Sequence, residues 1–242
     1  MKKPENGRGH LHWKSLRPFV DVLMLALLLA LTAYAYLAGA LHEAAGLGFL
    51  VVIGVHLGLS FRQSGGNWLR PFSWMRSACR LVELILLADI VNLGVSGIAL
   101  APSLFVFPFP VLRPSLARSL HRVLAHSALM LAGIHLGLRI PVLLGLVGIR
   151  RQRSSRQRPR GIALTAVLGL VAAYGLVAAV RRDYFRIDLD THLMMFANTE
   201  EPLAFFILDH GAILVLALTI GRLLRRGLRL GDKLNTPKET QP

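Results

Sequence analysis

Six runs of apolar residues, separated by polar and basic segments, set the pattern of this chain. Each run is about 20 residues long, the length an α-helix needs to cross the hydrocarbon core of a bilayer. The pattern predicts an all-α, polytopic membrane protein whose transmembrane domain, residues 19–224, is a six-helix bundle. The predicted helices cover about 19–40, 41–61, 81–100, 120–147, 161–180 and 203–224. Residues 1–18 are predicted to form a cytoplasmic N-terminal segment, and residues 225–242 a basic cytoplasmic tail.

The composition points to the same class of protein. The 242 residues are 54% hydrophobic and 17% charged, with a mean hydropathy of +0.53, values that are typical of a membrane protein and not of a water-soluble enzyme. The net charge of +15 does not indicate a nucleic-acid partner, because the basic residues cluster between the apolar runs, where they orient a membrane protein. Membrane lipid is therefore the first expected partner.

The distribution of lysine and arginine predicts the orientation. With six spans, 21 of these residues fall on the side of the two termini and six on the other side. Cytoplasmic loops carry the excess of basic residues, so both termini are predicted to be cytoplasmic and the protein to lie in the bacterial inner membrane. The second and fourth helices then run in the same direction, from outside to inside.

These two parallel helices carry an internal repeat built on histidine. His42 and His56 are fourteen residues apart in one helix, His121 and His135 are fourteen apart in the other, and the two copies are offset by 79 residues. Fourteen residues bring both histidines of a helix to one face, separated by about 21 Å along its axis. The repeat predicts two levels, His42 with His121 near the outer surface and His56 with His135 near the inner surface.

Two imidazoles at each level are a suitable ligand set for haem iron, which takes two axial ligands. Zinc is the weaker alternative, because a tetrahedral site needs three or four ligands. Cys79 is the only cysteine, so a Cys-x-x-Cys-His haem attachment, a cysteine-ligated cluster and an internal disulfide are all excluded. Ordinary packing or hydrogen bonding remains the alternative for each histidine taken singly.

The histidine motifs also resemble those of an uncharacterised bacterial family, the flavinylation-associated cytochromes. That family is similar in plan to the di-haem transmembrane cores of ferric reductases and cytochromes b, and the likeness extends over nearly the whole chain. It implies two b-type haems on the four histidines and electron exchange with flavin-bearing (FMN) proteins. The chain departs from the family at Leu57, Arg139 and His126-Ser127, where a further histidine or an aromatic pair is usual. The matching motifs are His42-Glu43, His56, Ala117-Arg118, Leu120-His121 and His135-Leu-Gly-Leu.

Several further residues are candidates for supporting roles. Guanidinium groups bind carboxylates well, so the outer arginines are candidate partners of haem propionates. Asp209 and His210 are a candidate quinol or proton site, since ionisable groups in a membrane are often functional. His126 is a reserve ligand, and His192 is expected in a solvated outer loop. The three outer arginines are Arg113, Arg118 and Arg122.

The sequence therefore predicts a di-haem b-type cytochrome that carries electrons across the membrane. Its donor would be a quinol or a flavoprotein, and its acceptor a periplasmic protein. Two other functions stay open: a non-redox membrane subunit or anchor whose histidines pack or relay protons, and a metal-ion permease. Neither of these predicts the equal spacing of the two histidine pairs.

Overall fold

The structure, a computed structural model, describes residues 8–63, 73–102, 104, 112–146, 158–185 and 201–234. Every regular element in this part of the chain is helical, as the sequence predicts. A short 3₁₀ turn at Tyr34–Tyr36 joins the first two α-helices. The six α-helices are α1 (Arg8–Thr32), α2 (Gly39–Gln63), α3 (Trp74–Ala99), α4 (Pro114–Leu146), α5 (Arg158–Arg181) and α6 (Leu203–Leu234).

Several helix ends differ from the predicted ones: α1 begins at Arg8, α3 at Trp74 and α4 at Pro114, each six to eleven residues before the predicted start. α1 ends at Thr32, and residues 33–38 form the turn where the apolar run predicts continuous helix. Tyr36 is held in this turn because its hydroxyl donates a hydrogen bond to the Glu201 carbonyl. α6 continues to Leu234, so the first part of the predicted basic tail is helical.

Among the described residues, three helical stretches are long and apolar enough to cross a membrane: Gly39–Phe61 in α2, Trp74–Ala99 in α3, and Leu203–Asp232 in α6. Large apolar side chains cover their outward faces, for example Val51 in α2 and Leu84 in α3. Exposure of large apolar side chains to water is unfavourable, whereas exposure to lipid is not. The fold is therefore that of a helical membrane protein.

The helices pack as a tight group and a looser hairpin. α4, α5 and α6 approach closely through small residues: a Cβ atom on Gly175 would collide with the Ala212 carbonyl, and one on Gly133 with Ala217. α3 packs along α4, while α1 and α2 form an antiparallel hairpin. Between the described parts of α2 and α4 there is no extended interface, although these helices carry the histidine repeat.

An acidic residue near the end of α6 fixes the start of α3. The Ser73 hydroxyl and the Trp74 backbone N–H donate to the Asp232 carboxylate, over 2.7 Å and 2.8 Å, and the Met75 N–H lies 3.4 Å from it. A carboxylate stabilises a helix N-terminus by satisfying its unpaired N–H groups. The helical extension of α6 is thereby tied to the bundle.

Candidate functional site

The structure brings His42 of α2 and His121 of α4 together. Their ring centres are 6.2 Å apart and the ring planes cross at 76°. A histidine nitrogen lies about 2.0 Å from a bound first-row metal. Since that nitrogen is itself about 1 Å from the ring centre, two imidazoles on opposite sides of one metal have centres about 6 Å apart. The observed spacing of the ring centres is therefore compatible with two histidines that bind one iron.

The ring of His121 is held by α3. Its Nδ1–H donates a hydrogen bond to the Leu93 carbonyl over 3.3 Å, and the Ser96 hydroxyl is also 3.3 Å from Nδ1. Gly97 makes room for the ring, since a Cβ atom there would lie 3.1 Å from His121 Cε1. A hydrogen bond on Nδ1 fixes the tautomer that leaves Nε2 free to bind a metal.

His42 is oriented in a different way. Its ring meets Tyr34 edge-on, with centres 5.0 Å apart. Its Nδ1 atom is buried and has no hydrogen-bond partner among the described residues. Buried polar atoms are normally hydrogen-bonded, so the His42 Nδ1 atom is an exception.

The second pair, His56 and His135, lies beside two carboxylates. His56 Nδ1 donates to Asp21 Oδ1 over 2.7 Å, which ties α2 to α1. His135 Nδ1 is 4.0 Å from Glu83 Oε1, and Glu83 also accepts hydrogen bonds from Arg139. His135 is within electrostatic range of His56 and Asp21 as well as Glu83, so these groups occupy one level of the bundle. His56 thus has a hydrogen-bond partner for Nδ1, as metal-binding histidines usually do, and His135 has a carboxylate nearby.

Other helices cover α2 only loosely at its glycines. A Cβ atom on any of the α2 glycines that flank its histidines would meet nothing within 4 Å. The 6.2 Å spacing of the His42 and His121 rings fits two histidines that bind one haem. At the inner level the donor set fits the same group. The α2 glycines are Gly46, Gly48, Gly54 and Gly58.

A metal ion bound by protein side chains, without a haem, would need a cluster of ligands. Among the residues that the structure describes, no three histidine, cysteine, aspartate or glutamate side chains are grouped so as to hold a metal ion.

Asp209, a sequence-predicted candidate, is fully buried in α6 at the centre of an ionic network. The Tyr174 hydroxyl and Arg181 donate to its carboxylate, each over 2.5 Å, and Arg182 Nε donates over 2.7 Å. Arg182 also donates to the Glu201 carboxylate over 2.7 Å. The network joins the end of α5 to the start of α6, which is a structural role, and it satisfies the Asp209 charge.

His210 and His126 belong to an aromatic cluster near this network. The His210 ring stacks on Phe206 with centres 3.8 Å apart, and its Nδ1–H donates to the Phe206 carbonyl. His126 stacks on Tyr184 with centres 4.4 Å apart, and Tyr184 meets His210 edge-on. His126 thus lies against Tyr184, and His121, five residues earlier, against His42.

Tyr184 reaches this cluster because of the way α5 ends. Asp183 adopts a left-handed conformation, with φ of 52°, and the Tyr184 N–H bonds back to the Ala179 carbonyl. This is the usual glycine-type helix termination, which aspartate tolerates. Burial raises the pKa of the Tyr184 hydroxyl, whose oxygen has no partner among the described residues.

The remaining sequence-predicted candidates are the three arginines near the start of α4 and His192. Arg113 and Arg118 are exposed at the start of α4, and Arg122 is half-buried next to His121. His192 lies outside the described residues.

The sequence alone does not predict two residues that contact the paired histidines. Asp21 is the hydrogen-bond partner of His56, and Tyr34 contacts His42. The signal for Asp21 is present in the sequence, since it is a single acidic residue inside an otherwise apolar run. Tyr34 carries no such signal, because an aromatic residue near a membrane surface is ordinary.

We found no protein-family model, no curated protein and no solved structure that matches this chain.

Proposed function

We propose that the chain is a di-haem b-type membrane cytochrome that carries electrons across the bacterial inner membrane. The observation that carries the proposal is the pairing of His42 with His121 at 6.2 Å, on two helices that share a repeat of histidine spacing. His56 and His135, with their carboxylate partners, supply the second ligand pair.

Haem, when bound, supplies one-electron chemistry at iron. The protein would hold one haem between His42 and His121 and the other between His56 and His135. Leu93, Asp21 and Glu83 accept or face the Nδ1 atoms, and thereby orient the rings. Arg113, Arg118 and Arg122, which precede or follow the start of α4, would neutralise the haem propionates.

The proposed topology has six spans with both termini in the cytoplasm. Three of the six observed helices have the length and hydropathy of spans, and the distribution of basic residues supports the orientation. In this arrangement α2 and α4 are parallel, which is what puts equivalent histidines at equal depth.

The electron donor would be a quinol or a flavoprotein and the acceptor a periplasmic partner. Support comes from the resemblance of the histidine motifs to the flavinylation-associated cytochromes, which implies a flavin-bearing (FMN) partner in the membrane or the periplasm. Asp209 and His210 are the residues for a quinol or proton site, although the arginines already satisfy the Asp209 carboxylate.

One observation favours a second candidate, a non-redox subunit that relays protons. The His56–Asp21 and His135–Glu83 pairs place imidazoles next to carboxylates within the helical bundle, an arrangement that suits proton transfer. This candidate does not account for the contact between His42 and His121, where neither ring bonds to a carboxylate.

The experiment is a reduced-minus-oxidised absorption spectrum of protein purified from a haem-replete host, with the haem-to-protein ratio. We expect two haems per chain, and one haem in each of the variants His42→Ala and His56→Ala. His192→Ala is the control and should keep both. A colourless preparation would exclude the cytochrome and leave the proton-relay subunit, and unchanged haem content in both variants would refute the assigned ligands.

A further inference from the structure

The two histidine pairs differ in the groups that accept their ring protons. At the inner level the acceptor is ionisable and acidic: Asp21 takes the His56 Nδ1–H over 2.7 Å, and Glu83 stands 4.0 Å from His135 Nδ1. At the outer level His121 donates to a neutral carbonyl, that of Leu93, and His42 has no acceptor among the described residues. The two histidine pairs therefore repeat in spacing, but their Nδ1 partners differ.

Such a difference changes the chemistry of a bound iron. A carboxylate that accepts the Nδ1–H makes the imidazole a more basic ligand. It also places negative charge near the metal, which favours the more positive, ferric state over the ferrous state. In a membrane bundle this interaction is weakly screened, so it is stronger than at a protein surface.

Neighbouring charged groups partly offset the electrostatic difference between the two histidine pairs, but the hydrogen bond between His56 and Asp21 remains. Arg17 lies 4.0 Å from Asp21, and Arg139 is bonded to Glu83. At the outer level Glu43 follows His42 and acts on it through space, while Arg122 follows His121. In the part of the chain that the structure describes, direct bonding of a ligand ring to a carboxylate occurs at the inner level alone.

We infer that Asp21, assisted by Glu83, sets the reduction potential of the inner histidine pair below that of the outer pair. The inference rests on the proposed function and gives it a direction. With both haems bound, an electron delivered from the cytoplasmic side would move downhill outward: the inner iron would lose one electron and the outer iron would gain it, with no bond broken and no proton moved. The reductant is then a cytoplasmic donor and the oxidant a periplasmic acceptor.

The test is a potentiometric titration of the haem-loaded, full-length protein at one fixed pH. The variants His42→Ala and His56→Ala, which each keep one haem, assign the two couples. We expect the inner couple to be the lower, by at least a tenfold difference in the reduced-to-oxidised ratio, about 59 mV for a one-electron couple.

Asp21→Asn should raise the reduction potential of the inner couple and leave that of the outer couple unchanged. Asp21→Glu, which retains a carboxylate, should keep the inner potential low. Glu83→Gln should give a smaller rise, because Glu83 is 4.0 Å from its histidine, and it serves as the second variant if Asp21→Asn fails to fold. Asp232→Asn is the matched control: Asp232 is another carboxylate of the bundle, but it bonds to the start of α3.

The outcomes separate the two proposals. An inner couple at or above the outer one, or an Asp21→Asn shift shared equally by both couples, overturns the inference and leaves the di-haem function standing. Protein without haem overturns the function and the inference with it.

Discussion

Gly97 decides where the His121 ring can lie. The ring packs against α3 at this position, and an added Cβ would come within 3.1 Å of Cε1 and 3.5 Å of Nδ1. The nearby Leu93 carbonyl and Ser96 hydroxyl then hold the ring nitrogen. The absence of a side chain at Gly97 therefore helps to fix the position of the His121 ring.

We predict that Gly97→Ala loses the outer haem and keeps the inner one, because the methyl group pushes the His121 ring off its hydrogen-bonded position. Haem content and the reduced-minus-oxidised spectrum measure the effect. Gly169→Ala is the control, since a Cβ atom there meets nothing within 4 Å. Full haem content in Gly97→Ala would show that His121 does not need this position.

At the residue scale the sequence predicts the pairing of His42 with His121 but not the partners of the rings. Spacing and orientation suffice for the pairing, because they depend on helix geometry and on the positive-inside distribution alone. The Asp21–His56 bond depends on the rotation of α1 about its axis, which packing determines. A single apolar run cannot specify that rotation.

The contact between α5 and α6 depends on Gly175. A Cβ atom there would lie 2.6 Å from the Ala212 carbonyl carbon, which belongs to the backbone and cannot move aside. The Asp209 network spans the same pair of helices, from the last turns of α5 to the first turns of α6. The two features together hold α5 against α6.

Gly175→Ala should lower the free energy of unfolding by about 1–3 kcal/mol, the usual cost of overpacking. Thermal or denaturant unfolding of the purified protein in detergent measures it. Gly169→Ala, on the same helix but in open space, should be neutral or slightly stabilising, because alanine favours helix. Equal stability of the two variants would contradict the close contact.

At the element scale the apolar runs predict all six helices, and the ends are less well predicted. Hydropathy marks the part of a helix that is apolar, whereas a helix continues as long as its backbone bonds are satisfied. α6 extends to Leu234 in this way, with Asp232 bonded to the start of α3. α1 ends early because residues 33–38 turn toward α6 through Tyr36.

For the whole molecule, the distribution of basic residues predicts six spans with both termini in the cytoplasm. Reporter fusions test this directly. An alkaline phosphatase fused after Pro242 should be inactive and a fluorescent protein at the same site bright, whereas a phosphatase fused after Arg113, in the predicted outer loop, should be active. The opposite pattern would reverse the two levels of histidines.

The overall arrangement of the helices lies beyond what the sequence predicts. Apolar runs give the number of helices and their directions, but not that α4 packs most closely with α6 or that α2 stays apart from α4. Those contacts depend on small residues such as Gly133 and Ala217, which fit only when the two helices are placed side by side. One sequence contains many small residues, and only packing shows which of them face each other.

The loose contact between α2 and α4 bears on how the protein is made. His42 leaves the ribosome 79 residues before His121. We therefore expect the α1–α2 hairpin to enter the bilayer before α3 and α4 are synthesised. Under the proposed function, binding of either haem is a late step of biogenesis, and cells starved of haem should accumulate a chain whose α1–α2 hairpin is inserted but not yet joined to α4 through haem.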